Sequence, residues 1–166
     1  MFTRKRIILL IIAIILIVFI IINAYWYFIV HNYFLGFTET KAGGKIPKDP
    51  VGSYSKIIDG YYVGVEPPKY LVMSSNLSIS KVDSSDTDPY LIIWPEKYGE
   101  TIFGISLTEN DVSYQFYVKQ NGELEKNTEG KTLSQDQAEE LQQLLDENKK
   151  YIKGLIDIAN TTWNFE

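Results

Sequence analysis

Cysteine is absent from this chain of 166 residues, histidine occurs once, at His31, and arginine occurs only at Arg4 and Arg6. Without cysteine there is no disulfide framework, no thiolate nucleophile and no cysteine-ligated metal; a small secreted eukaryotic domain is more often disulfide-stapled. The lone histidine lies beside an apolar helix, which excludes a His-based catalytic arrangement in the folded part. No Gly-rich phosphate loop or paired-His motif is present. Asp83, Asp86 and Asp88 occupy one run, but it lacks the Gly and distal Glu of a calcium loop and reads as a solvated connection. Glu96, Glu100, Glu109 and Asp111 flank predicted strands, yet so small a domain leaves little room for a cleft with two carboxylates at catalytic separation. The expectation is a non-enzymatic chain with no cofactor and no metal.

Positive charge is scarce too, and it is unevenly placed. Beyond His31 the net charge is −8; residues 32–56 carry +2 and residues 57–166 carry −10. An acidic domain lacks the positive footprint that nucleic acid requires, so no nucleic-acid partner is expected. It is also repelled by anionic polymers. With 22 Ile and 14 Lys against two Arg, the composition fits an AT-rich bacterial genome, and with the missing cysteine it favours a monoderm bacterium. Asn76-Leu-Ser and Asn160-Thr-Thr match the glycosylation pattern; in that setting both are chance matches.

What the chain does have is an apolar run. Ile7 to Ile22 are sixteen consecutive aliphatic, Ala or Phe side chains, preceded by Arg4, Lys5 and Arg6 and followed by Tyr25, Trp26, Tyr27 and Phe28. Residues 7–30 as a helix span about 36 Å, enough for a hydrocarbon core of roughly 30 Å. Asn23, the one strongly polar residue in that stretch, falls about 24 Å from Ile7, near the far interface. The cluster 25–28 reads as an aromatic belt, which Tyr33, Phe34 and Phe37 extend along the surface. Basic residues precede the helix and no Lys or Arg follows until Lys41, so the positive-inside rule places residues 1–6 in the cytoplasm and residue 32 onward outside. The apolar run exceeds a signal peptide's usual length of about 7–15 residues and no small-x-small site follows, so an uncleaved anchor is expected.

Beyond the membrane segment, residues 31–56 read as a juxtamembrane stalk rich in Gly and Pro, and residues 57–166 as one α+β domain. Phe103, Ile105 and Leu107 alternate with Gly104 and Ser106; Val112, Tyr114, Phe116 and Val118 alternate with Ser113, Gln115, Tyr117 and Lys119. Period two is the signature of a half-buried antiparallel sheet. Asp59-Gly60 marks a turn or bulge, Glu109-Asn110-Asp111 turns the chain, and Asn121-Gly122 predicts a type I′ hairpin that folds residues 123–127 back. Ser134 with Gln137 forms a capping box, and a helical apolar stripe follows from Ala138 to Ala159, with Gly154 a point of bending or close approach. The expected fold is an antiparallel meander of four to six strands packed against one long C-terminal helix.

One helix covers one face of such a sheet and leaves the other open. Tyr117 lies opposite Tyr114 and Phe116, so Ser113, Gln115, Tyr117 and Lys119 are the candidate partner-binding residues, within a patch expected to be acidic and aromatic. Trp163 and Phe165 are too apolar for an idle tail: the first expectation is that they dock back on the domain, and as the alternative they join the partner-binding candidates. The leading expectation is a single-pass cell-membrane protein whose extracellular domain binds another protein, as an accessory subunit of a bacterial cell-envelope complex. The partner is then an integral membrane protein. The alternatives are an immunity protein that neutralises a secreted antibacterial toxin, and a wall-polymer or small-ligand sensor.

Overall fold

The computed structural model describes residues 4–96, 99–128 and 131–165. The chain begins with a helix from Arg4 to Gly36, the one helix among the described residues long and apolar enough to cross a membrane. It has three parts: α1 (Arg4–Tyr25), a π-helical turn (Trp26–His31) and α2 (Asn32–Gly36). In an α-helix a residue four places on overshoots a full turn by about 40°. The wider π turn, in which the Asn32 N–H reaches the Tyr27 carbonyl, removes that drift. Trp26, Val30 and Phe34 consequently share one buried face. Tyr25, Tyr27 and Phe28 stay exposed. Only part of the aromatic cluster is therefore available to a belt; Trp26 and Phe34 are turned inward.

Six strands follow: β1 (Tyr54–Ile58), β2 (Tyr61–Glu66), β3 (Asn76–Lys81), β4 (Tyr90–Trp94), β5 (Ile102–Glu109) and β6 (Val112–Val118). They form one antiparallel sheet in sequence order, a pure meander with β1 and β6 at its edges. Two hairpins have two-residue turns with both residues at positive φ, Asp59-Gly60 and Asn110-Asp111, the type I′ geometry that matches strand twist. Asn121-Gly122 does not. Only Gly122 has positive φ there, and its N–H bonds the Lys119 carbonyl. The result is a type I turn followed by a left-handed glycine, which still returns the chain so that Leu124 bridges to Val118. A short pair, β7 (Asn127–Thr128) and β8 (Lys131–Thr132), precedes the C-terminal helices.

These are α3 (Gln135–Glu147) and α4 (Lys149–Trp163), two helices where the apolar stripe predicted one. The Ser134–Gln137 capping box forms as expected. The break is at Asn148. Counting back in helical steps from Ile152, position 148 falls on the apolar stripe, and a polar side chain there needs a partner. The Asn148 amide takes the Leu144 carbonyl at 3.0 Å, and its backbone leaves the helical region at φ −101°, ψ 6°. Asn favours such caps because its short amide competes for backbone groups. Gly154, by contrast, serves close approach: a Cβ at that position would lie 2.8 Å from the Tyr61 hydroxyl.

The core lies between α3/α4 and one sheet face. Val63, Val65, Leu77, Ile79, Leu91, Ile93 and Ile105 from the strands meet Leu145, Ile152, Leu155 and Ala159 from the helices. Each fully buried Leu or Ile contributes about 1.5–3 kcal/mol. Ile46 is also buried in this cluster, so the segment between Gly36 and Tyr54 lies against the domain. Its backbone is tied down by Ile46 N–H to Thr38 O and Lys41 N–H to Thr162 O.

The Tyr61–Gly154 contact gives a sign test. Gly154→Ala gains about 1 kcal/mol of helix propensity but overpacks against Tyr61 at a cost of about 1–3 kcal/mol, so a net loss of about 1 kcal/mol is expected. In the Tyr61→Phe background the nearest ring carbon is 3.8 Å away, and the same change should stabilise. Urea unfolding of the detergent-solubilised full chain measures both; equal effects in the two backgrounds would contradict the packing described.

Candidate partner-binding face

Strand registers assign the side chains of the opposite sheet face. One cross-strand row runs Ser55, Gly64, Ser78, Ile92, Gly104 and Tyr117. A neighbouring row includes Ile57, Tyr62 and Ser80 on one side, and Tyr90, Ser106 and Gln115 on the other. No described helix lies over these rows: Ile57, Tyr62 and Tyr90 are 52%, 46% and 38% exposed, whereas Val63 and Leu91, one residue along on the core face, are at 0%. Exposed aromatic and aliphatic side chains thus flank a floor of Ser and Gly.

The floor is kept low by close packing. The Trp94 indole lies across Gly104, where a Cβ would come within 2.6 Å of its ring, and meets Tyr117 edge-on at 6.0 Å. Such edge-to-face pairs contribute roughly 0.5–1.5 kcal/mol beyond burial. Ser78 leans over Gly64, where a Cβ would come within 2.5 Å of its hydroxyl oxygen.

Ser113 and Gln115 are exposed on edge strand β6, and Tyr117 is half-buried under Trp94. Tyr117, Lys119 and Phe165 line one open groove of about 800 Å³ with Glu96, Glu100 and Glu125. The acidic and aromatic groups therefore meet at this end of the sheet, while the middle of the face is aromatic and nearly uncharged. Lys119 pairs with Glu123 at 3.3 Å. Hydrogen bonding to Asn121, then to Lys119, holds the Glu123 carboxyl below its ordinary pKa. Trp163 is placed differently: its indole N–H donates to the Phe37 carbonyl at 2.7 Å. Phe165 stacks on Phe37 and meets Phe103 edge-on, so both tail aromatics join the helix end to the sheet.

The sequence alone does not place Tyr62, Tyr90, Ile57 and Trp94 on this face. The small residues Gly104 and Ser106, alternating with core side chains on β5, were the available signal that this face is shallow. The strand register that adds Tyr62 and Tyr90 to it needs the structure.

The groove adjoins the N-terminal helix. Trp94, Pro95 and Glu96 share a second recess with Tyr25, Ile29, Val30, Tyr33 and Phe34. Elsewhere, Asp88 accepts a bond from the Ser85 N–H at 2.8 Å within its own loop. Among the described residues no three acidic or histidine side chains converge as a metal site. His31 packs between Trp26 and Tyr27. Comparison with family models, curated proteins and solved structures finds no match for this chain.

Gly104→Ala should push the Trp94 indole off the sheet without unfolding it, because the added methyl points away from the core. The indole N–H resonance assigned through Trp94→Phe is expected to shift, with those of Trp26 and Trp163 unmoved. An unchanged Trp94 signal would contradict the close contact.

Proposed function

We propose that this is a membrane-anchored, non-enzymatic binding protein: residues 7–30 span the cell membrane, the domain lies on the outer side, and its open sheet face binds an integral membrane protein as an accessory subunit of a bacterial envelope complex. The observation that carries this reading is the position of the face. Its Trp94–Glu96 end lies against helix residues 25–34, so a partner seated there is within reach of the bilayer surface. Tyr and Trp favour interfaces because they bury much area while keeping a polar tip. The Ser/Gly floor lets a partner's backbone or side chains approach closely. Glu96, Glu100 and Glu125 at the groove suit a basic or neutral contact and disfavour an anionic wall polymer.

Site-specific photo-crosslinking in native membranes tests it. A crosslinker at Tyr62, Tyr90 or Tyr117 should capture one integral membrane protein, with Gln143 on the exposed side of α3 giving none. Trp94→Ala should lower the yield at least tenfold, the equivalent of about 1.4 kcal/mol of binding. Capture of a secreted protein would replace the accessory role with toxin neutralisation. Equal yields from Gln143 would remove the face as the site.

A further inference from the structure

The β2–β3 connection, residues 67–75, has an unusual composition for its domain. It reads Pro-Pro-Lys-Tyr-Leu-Val-Met-Ser-Ser and contains no carboxylate, within a region of net charge −10. Its tip presents Tyr70, Leu71, Val72 and Met73 at 60%, 38%, 43% and 54% exposure, four consecutive apolar side chains turned away from the core. Leu71 sits at φ +59°, a left-handed conformation that costs a bulky side chain free energy.

Two contacts fix the tip's height along the N-terminal helix. The Tyr70 hydroxyl donates to the Asn23 side-chain carbonyl, and the Trp26 indole N–H donates to the Val72 carbonyl at 2.9 Å. Asn23 and Trp26 lie about 24 and 28 Å along the axis from Ile7. A hydrocarbon core of roughly 30 Å that starts at Ile7 therefore extends to the level of this loop, and helix tilt carries the contacts deeper.

We infer that residues 70–73 insert into the outer boundary of the bilayer beside the helix, so that the domain is held to the lipid at two places. The inference rests on residues 7–30 spanning the membrane. Backbone polar groups at that depth need internal partners, and those at Val72 have them: its N–H bonds the Lys69 carbonyl at 2.8 Å and its C=O accepts from Trp26. Asn23 is likewise engaged at both ends, donating to the Phe19 carbonyl at 2.8 Å and accepting from Tyr70. Lys69 and Tyr70 are the residue types that anchor at headgroups, the ammonium reaching the phosphates and the phenol the interface. The occupant of this apolar tip is lipid.

Because the chain has no cysteine, single labels report cleanly. Full-length Met73→Cys, Ile15→Cys and Asp86→Cys proteins carry an environment-sensitive fluorophore in phosphatidylcholine–phosphatidylglycerol vesicles containing spin-labelled lipids. Asp86 lies beyond the far end of β3, about 20 Å from the loop. The label at 73 should be quenched at least twofold, more by shallow than by deep acyl-chain spin labels. The label at 15 should be quenched most by the deep ones and the label at 86 by neither. Quenching at 15 but not at 73 would overturn the inference while leaving the spanning helix in place. Quenching at neither would overturn both. Equal quenching at 73 and 86 would also overturn it, since the domain would then lie on lipid without a specific insertion.

Discussion

Phe37 is the junction on which the arrangement depends. It follows the last turn of the N-terminal helix, and its ring meets Tyr33, Trp163 and Phe165. Its carbonyl accepts from the Trp163 indole. Phe165 passes the contact on to Phe103 in the sheet, helped by Asn164, whose left-handed backbone turns the chain at the end of α4. Lys41 adds a 2.7 Å bond to the Asn164 side chain. With aromatic pairs contributing roughly 0.5–1.5 kcal/mol each, this cluster fastens the end of the N-terminal helix to the segment that follows α4. The second contact, through Trp26, Val30 and Phe34, lies about one to three turns back along the same helix.

That junction gives the open face a direction. A domain on a flexible tether samples all orientations, and a binding face near the membrane is then available only part of the time. Here the loop 67–75 and the Trp94–Glu96 end are held beside the helix, while the turns at Asp59-Gly60 and Asn110-Asp111 lie at the other end of the strands. Charge does not follow that division, since Glu96, Glu100 and Glu125 stand at the groove beside the helix. The loop beside the helix has no carboxylate, whereas α3 carries Asp136, Glu139, Glu140, Asp146 and Glu147, away from the open face.

Much of the architecture is legible in local sequence because it is decided locally. Alternation in Ile102–Glu109 and Val112–Val118 gives strands and faces, and Ser134–Gln137 gives a helix start; each depends on neighbours a few residues away. The break at Asn148 is harder to read, since the stripe continues in phase from Leu145 to Ile152 and only the cost of one polar residue on it marks the interruption. Asn121-Gly122 and Asn110-Asp111 show the same limit: both dipeptides tolerate positive φ, and the pairing around them determines which adopts it at both positions. The stalk reading missed Ile46 because a lone apolar residue among Gly, Pro and Lys has no periodicity. Trp26 reads as a lipid anchor, and Trp163 and Phe165 as a tail that docks on the domain; the partners of all three lie 46, 126 and 128 positions away in the chain, a distance no pattern of neighbours encodes. The candidate face was legible on β6 alone.

Whether helix and domain move as one body is best measured between them. Spin labels at Phe19→Cys and Lys149→Cys, both exposed sites, report that separation by pulsed electron paramagnetic resonance in lipid nanodiscs. A single narrow distance distribution is expected, broadening when Trp163→Ala removes the bond to Phe37. A broad or multi-peaked distribution in the unaltered protein would mean that the domain swings on its anchor, and the docked arrangement described above would be wrong.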